Sequence, residues 1–407
     1  MKRTILLVSL LLAAGLLMAA LQGCKGPEGP AGPAGESKIL QLEGFAADIN
    51  CGDCHNPDTD STYFVWAKKY QWELSKHFFG GDFERNSTPC SGCHTTEGYV
   101  DRAKANFPIQ SAWTGVVNSH FDASPPGCFA CHSPHSNGDF QLRTEAAVTM
   151  LSPMKNVANQ SINMGKGNLC LNCHQPRSLS PTMFQGGSAP LATDTLKITS
   201  NRWYPHYGVQ GLMFKGPGGG GGYEFPGKTY SSSFHATSAA TNGTTLQQEG
   251  CLTCHMAPSN TGGGFGGGHT MNVMFLNTSG ADTWNTTGCL VSGCHSTMAS
   301  VDNYVSSSSS LTGGKGVHIY IHESIDTLHS LLISKALLDS ASGLVMGNNG
   351  TSTASSSNPK TFVGSQIQKA GALYNYFFLE HDLSGGVHNS MYAIQLIKDS
   401  IEELRKP

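Results

Sequence analysis

The stretch that decides the fold is CFACHSPHS, residues 128–136, in which two cysteines are followed at once by a histidine and, three positions on, by another. The cysteine pair with its trailing histidine occurs six times. The cysteines are Cys51 and Cys54, Cys90 and Cys93, Cys128 and Cys131, Cys170 and Cys173, Cys251 and Cys254, and Cys289 and Cys294; the histidines are His55, His94, His132, His174, His255 and His295. With 17 histidines in 407 residues, six such coincidences need a common cause.

Covalent attachment of c-type haem is that cause. Two thiols bond to the porphyrin vinyl groups, and the adjacent histidine is an axial ligand of the iron. Zinc also uses paired cysteines, but it does not require histidine at the next position and takes two pairs per ion. Disulfides suit an exported protein and leave the histidines unexplained. The sequence therefore predicts six covalent c-type haems.

The sixth segment, CLVSGCH at 289–295, has four residues between its cysteines, whereas the other five segments have two. We expect the two extra residues to bulge out while both sulfurs reach one porphyrin edge. The segment is therefore counted as a haem site.

The second histidine of the opening stretch, His135, needs a different explanation from His132. Three residues span at most about 10 Å, which is too little to pass from the proximal face of a haem round its edge to the iron. His135 therefore either faces solvent or ligates a neighbouring haem. We favour the second, which would bring two haems close together because their ligands lie on one short loop.

The first 23 residues have the features of a secretory signal, with basic Lys2 and Arg3 before an apolar stretch. LQGC at 21–24 resembles the lipobox of bacterial lipoproteins, which implies a lipidated Cys24 and stable anchoring by its acyl chains. A plain signal with a stray cysteine, or a membrane-spanning anchor, is the alternative. The Gly- and Pro-rich residues that follow indicate a spacer.

Composition and motif positions define the organisation of the chain. Only 13% of the residues are charged and 49 are glycine, so we expect much of the chain to run as loops. The predicted fold is mostly irregular with α-helices and little β structure, wrapped around a row of haems, with a helical C-terminal part. The predicted parts are a signal peptide (1–23), a lipidated spacer (24–44), a hexahaem region (45–300) and a haem-free region (301–407) with helices near 317–339, 360–381 and 389–405.

The formal charge is small. It is −3 for the whole chain and −5 once Lys2 and Arg3 are removed with the signal. No basic patch is visible, so nucleic acid is excluded as a natural partner.

The six motifs and the lipobox resemble multihaem c-type cytochrome lipoproteins, similar to the outer-surface electron-transfer cytochromes of metal-respiring bacteria. The motifs carry this resemblance over residues 51–295, and the tail carries it more weakly. It implies low-potential haems with two histidine ligands that pass electrons to other redox proteins or to extracellular acceptors in anaerobic respiration. Lys25 after Cys24 indicates an outer-membrane or cell-surface location, with a periplasm-facing anchor as the alternative.

Seven histidines are candidates for the six distal ligands. Histidines stand upstream of three attachment segments, and the resemblance adds the contexts PHYG, GGGFGGGHT and GGVHNSMYAIQLIKDSIEEL. Of the seven, His206 has the weakest context. The candidates are His77, His120, His135, His206, His235, His269 and His388.

Three further histidines, His318, His322 and His329, lie on one side of a predicted helix. We interpret them as polar residues at the edge of a buried face, with a haem ligand or a surface metal site as alternatives.

An electron carrier is favoured over an enzyme. The first alternative is a multihaem reductase of the nitrite or hydroxylamine type, in which one iron stays open to substrate. The second is a homo-oligomer or haem filament, which adds assembly to conduction.

The haem load tests the motif analysis. If all six segments are used, the intact mass of the mature protein should exceed that of the lipidated apoprotein by six haems. A load of five, unchanged in a Cys294→Ser variant, would show that residues 289–295 hold no haem.

Overall fold

The computed structural model describes residues 51–407, apart from residues 59, 81–82, 88–89, 109–122, 156, 177–182, 185–188, 220, 241–244, 260–264 and 306–308. The predicted signal, the lipidated Cys24, the spacer and His120 lie outside the described residues. All described residues belong to one compact unit, Phe45–Pro407.

Short helices dominate the described part of residues 51–300, and long helices follow. The α-helices are Gly52–His55 (α1), Val65–Glu73 (α2), Lys76–Phe79 (α3), Ser91–His94 (α4), Thr96–Lys104 (α5), Cys128–Cys131 (α6), Pro134–Asn137 (α7), Asn168–Leu171 (α8), Gln210–Lys215 (α9), Phe234–Ala240 (α10), Thr245–Glu249 (α11), Leu252–His255 (α12), Ser309–Thr312 (α13), Val317–Ser334 (α14), Ile367–Asp382 (α15) and Ser390–Arg405 (α16). Short 3₁₀ turns cover Gly165–Gly167, Gly268–Thr270, Thr287–Leu290 and Gly364–Gln366.

The strands are short and pair two by two. They are Val148–Met150 (β1), Met154–Lys155 (β2), Gln160–Ile162 (β3), Met183–Phe184 (β4), Thr195–Ile198 (β5), Met274–Leu276 (β6), Asp282–Trp284 (β7) and Lys360–Val363 (β8). β1–β3, β5–β8 and β6–β7 are antiparallel, and β2–β4 is parallel. The expectation of helices, much loop and little β structure is confirmed.

The three helices expected in the tail are present, with one correction. The predicted helix at 360–381 begins only at Ile367, because Lys360–Val363 pairs with Thr195–Ile198 as a strand. The apolar stripe of α14 is buried at Ile321, Leu328 and Leu332. Here the helical period of the sequence was a reliable guide.

One hydrophobic core joins the tail to the middle of the chain. Phe378 and Leu396 of the tail lie in the same buried cluster as Met150, Leu212 and Tyr223. The buried side chain of Asn375 accepts from the backbone N–H of Tyr223 (2.6 Å) and donates to its carbonyl (2.9 Å). Because these bonds satisfy buried backbone groups, they fix the tail against the preceding region.

A second, small cluster lies in the first half, where Tyr99, Ala130 and Leu169 are buried together. The cysteine side chains of two attachment segments, Cys131 and Cys173, pack against it. The attachment segments are therefore part of the packing of this half.

Candidate functional site

The six attachment segments share one backbone feature. In each, the N–H of the histidine donates to the carbonyl of the first cysteine. The N···O distances are 2.8 Å in His55, 3.2 Å in His94, 2.8 Å in His132, 2.9 Å in His174, 3.0 Å in His255 and 3.0 Å in His295. We number the segments as sites 1 to 6 in chain order.

Site 6 reaches this arrangement with its longer insert. The His295 N–H donates to the Cys289 carbonyl although five residues lie between them, whereas three lie between the first cysteine and the histidine in the other sites. The Cys294 N–H donates to the Val291 carbonyl (3.0 Å). Gly293 has φ +86°, in the left-handed region that glycine enters without strain. The additional residues thus form a tight turn, and the histidine returns to the position it has in the other five sites.

The twelve described cysteines form no disulfide with one another. Burial raises the pKa of Cys131 and of Cys254 to about 12. Both thiols are therefore protonated at neutral pH in the chain as it stands.

Each of the six attachment histidines faces one histidine from a distant part of the chain. The ring centres of the pairs are separated by 5.9–6.4 Å. The pairs are His55–His135 (site 1), His94–His206 (site 2), His132–His269 (site 3), His174–His77 (site 4), His255–His388 (site 5) and His295–His235 (site 6).

This separation fits two imidazoles that share one metal. Two metal–nitrogen bonds of about 2.0 Å, each extended by about 1.1 Å from the nitrogen to the ring centre, place the ring centres about 6.2 Å apart. All six observed separations lie within a few tenths of an ångström of that value. The donor set thus fits an iron porphyrin at every site.

Hydrogen bonds to Nδ1 orient many of these rings. The Nδ1 of His132 is 3.2 Å from the Gln141 carbonyl, that of His235 is 2.7 Å from the Val387 carbonyl, and that of His255 is 3.0 Å from the Met271 carbonyl. An N–H at Nδ1 leaves the lone pair on Nε2, as ligating histidines usually require. These rings are held in the tautomer that can ligate a metal through Nε2.

At sites 4 and 5, a side-chain oxygen takes the place of the backbone carbonyl beside Nδ1. Gln210 Oε1 lies 3.2 Å from His174 Nδ1, and the buried carboxylate of Asp382 lies 2.8 Å from His388 Nδ1. Neither Gln210 nor Asp382 belongs to a sequence motif. Gln210 lies 36 residues from His174, so no local pattern connects them, whereas Asp382 lies only six residues before His388 and is the one signal near that histidine that the sequence offered.

Burial keeps several of the paired histidines neutral. It lowers the pKa of His77, of His255 and of His269 to about 4. A metal needs the unprotonated imidazole, so these rings are ready to ligate at neutral pH.

The structure assigns a pair to six of the seven predicted distal histidines. His206, whose context was the weakest, faces His94, and His120 lies outside the described residues. The position of a histidine upstream of an attachment segment does not identify the attachment histidine that it faces. His77 precedes site 2 and faces site 4, and His235 precedes site 5 and faces site 6.

Thiols of different sites meet around site 4. The Cys173 thiol lies close enough to Cys93 of site 2 for the two to interact and raise its pKa, and the Cys170 thiol lies in the same way beside Cys251 of site 5. Cys131 of site 3 lies close enough to both site 4 thiols to interact electrostatically with them. Site 4 therefore has sites 2, 3 and 5 as immediate neighbours.

Sites 6 and 1 adjoin this group, site 6 beside site 5 and site 1 beside site 3. Cys254 of site 5 interacts with Cys289 and Cys294 of site 6. His135, which faces His55 of site 1, is three residues from His132 of site 3, so one short loop supplies a histidine to each of these two sites.

Within the described residues, no group of three or more His, Cys, Asp and Glu side chains is arranged to hold a metal ion. The same residues contain no helix that is long and apolar enough to cross a membrane.

Comparisons with known proteins give no match. No family model fits the chain, and no curated protein or solved structure is significantly similar to it.

The ring pairs predict two spectroscopic classes of low-spin iron. The rings of sites 1, 3 and 5 are inclined by 38–41°, and those of sites 2, 4 and 6 by 67–89°. Since the angle between axial imidazole planes sets the splitting of the iron d orbitals, we expect three rhombic and three highly anisotropic signals in electron paramagnetic resonance. His135→Ala should convert one rhombic signal, that of site 1, to high spin.

The matched control is His206→Ala, which should convert one highly anisotropic signal at site 2 and leave the rhombic ones unchanged. An unchanged spectrum of the His135→Ala protein would show that His135 ligates no iron.

Asp382 provides a second prediction, on reduction potential. A carboxylate makes the imidazole of His388 a stronger donor, which favours ferric iron. Asp382→Asn should therefore raise the potential of one haem by about 60 mV, corresponding to a tenfold loss of ferric stabilisation in a one-electron couple. Spectroelectrochemical titration measures the reduction potentials. Asp326→Asn removes an exposed carboxylate and should leave all six potentials in place.

Proposed function

We propose that the chain is a multihaem c-type cytochrome that carries electrons along six covalently bound haems, each with two histidine ligands. One observation carries this proposal. Every histidine of an attachment segment faces a second histidine at the separation expected for two axial ligands of one iron.

The residues have distinct tasks in this function. The paired cysteines would hold each haem covalently, and each pair of facing histidines would supply the two iron ligands. When bound, haem supplies a reversible one-electron couple whose potential depends on axial ligands, hydrogen bonds and burial. Electron transfer then needs no bond between iron and substrate, and a closed sixth position suits it.

The contacts between sites support a continuous path. The thiols of sites 2 and 4 interact, as do those of sites 4 and 5, so haems bound there would have neighbouring porphyrin edges. Site 6 continues from site 5, and site 1 from site 3 through the loop of His132 and His135. The proposed path therefore runs through sites 1, 3, 4, 5 and 6, with site 2 joined to site 4.

The setting of the protein is part of the proposal. A signal peptide and a lipidated Cys24 would place the chain at the outer membrane or the cell surface. There it would exchange electrons with other redox proteins or with extracellular acceptors.

Carbon monoxide separates an electron carrier from a reductase with one open iron. Carbon monoxide binds ferrous haem whose sixth position is vacant or weakly held. The reduced protein should show little change of its Soret band under carbon monoxide, reduce nitrite or hydroxylamine slowly and reduce ferric chelates rapidly.

The positive control is the reduced His135→Ala protein, in which site 1 is opened and one carbon monoxide per chain should bind. Stoichiometric binding to the unmodified protein, together with fast turnover of a nitrogen oxide, would contradict the proposal and favour the reductase.

A further inference from the structure

Two histidines outside the six sites face each other on the long tail helix. His318 and His322 are one turn apart on α14, and their Nε2 atoms are 3.2 Å apart. His322 is exposed and His318 is partly buried, so solvent and solutes reach the pair from one side.

The ring of His318 is fixed by its surroundings. Its Nδ1 donates to Asp302 Oδ1 (2.7 Å), and Asp302 Oδ2 accepts from the indole N–H of Trp284 (3.0 Å). The Trp284 ring packs edge-on against the imidazole, with the centres 5.2 Å apart. On another side lies Gly385, where a Cβ would come within 2.3 Å of the imidazole.

The hydrogen bond to Asp302 decides the tautomer of His318. Nδ1 carries the proton, so Nε2 of His318 has a lone pair that points towards Nε2 of His322. A carboxylate behind an imidazole is the usual support of a metal-ligating histidine, because it fixes the ring and increases its basicity.

We propose that His318 and His322 bind a divalent transition-metal ion, with Asp302 as a positioning residue. Histidines four positions apart on a helix bind zinc in this way in known motifs. Two metal–nitrogen bonds of about 2.1 Å that meet at about 100° put the nitrogens about 3.2 Å apart. Imidazole nitrogen selects Zn²⁺, Cu²⁺ or Ni²⁺, and water completes the coordination because the chain supplies two ligands.

The competing explanation is a simple hydrogen bond between the rings, in which His322 donates its Nε2 proton to His318. That bond has the same nitrogen separation, so the distance alone does not choose between them. The two differ in what an added metal does, since a metal displaces the shared proton.

The experiment is calorimetric titration of the oxidised, haem-loaded full chain with Zn²⁺. We expect one Zn²⁺ per chain. His322→Ala should weaken binding at least about tenfold, and Asp302→Asn about 10- to 100-fold, as is usual for a residue behind a ligand. His329→Ala is the matched control on the same helix, where the ring stacks on Tyr376, and it should leave Zn²⁺ affinity unchanged.

Failure of Zn²⁺ to bind, or binding that His322→Ala does not weaken, would overturn the proposal and leave the hydrogen-bonded pair. Because His322 is exposed, the His322→Ala protein should fold. An unchanged haem load and an unchanged low-spin spectrum would show that it does. The same spectrum tests the haem sites separately, so the two proposals can fail independently.

Discussion

The opposed histidine pair is the constraint on which the rest of the structure depends. Each pair joins a histidine of an attachment segment to one far away in the chain, from 60 residues in His235–His295 to 137 in His132–His269. A metal held between them closes a long loop, and closing long loops restricts the unfolded chain most. The first half has few charged residues and only a small core of its own. Its described residues therefore make few other contacts that would keep these loops closed. Folding of this region should therefore be coupled to cofactor attachment, as at other metal sites.

The tail has no attachment segment, yet residues 381–388 contact histidines, or residues beside them, at four sites. His381 Nδ1 donates to the carbonyl of Pro205, the neighbour of His206 at site 2, and the His381 carbonyl accepts from Gln210, which holds His174 at site 4. Asp382 holds His388 at site 5, and the Val387 carbonyl holds His235 at site 6. These residues connect two helices buried in the main core, so core packing sets the ligand geometry.

The attachment segments, the longer insert and the tail helices could be predicted because each is encoded locally, by adjacent residues or by a helical period. The pairing of histidines could not, because nothing near His77 or His235 in the sequence specifies which site it will face. His206 had a weak context for the same reason, since its position depends on His381, 175 residues away. The sequence predicts a helix where the structure has the strand Lys360–Val363. Its pairing with Thr195–Ile198 is a long-range contact that no local pattern reveals.

The meeting of thiols at site 4 has an electrostatic consequence for the proposed carrier. The buried guanidinium of Arg102 donates to Cys93 Sγ (3.5 Å) and to the Asn172 carbonyl beside Cys173. A buried cation is costly, so its place among these thiols indicates a compensating interaction there. A nearby positive charge favours the more reduced state of an iron centre, which carries one positive charge fewer. In the proposed path, Arg102 would raise the potentials of sites 2 and 4 relative to otherwise similar bis-histidine sites, so electrons would reside preferentially where the path branches.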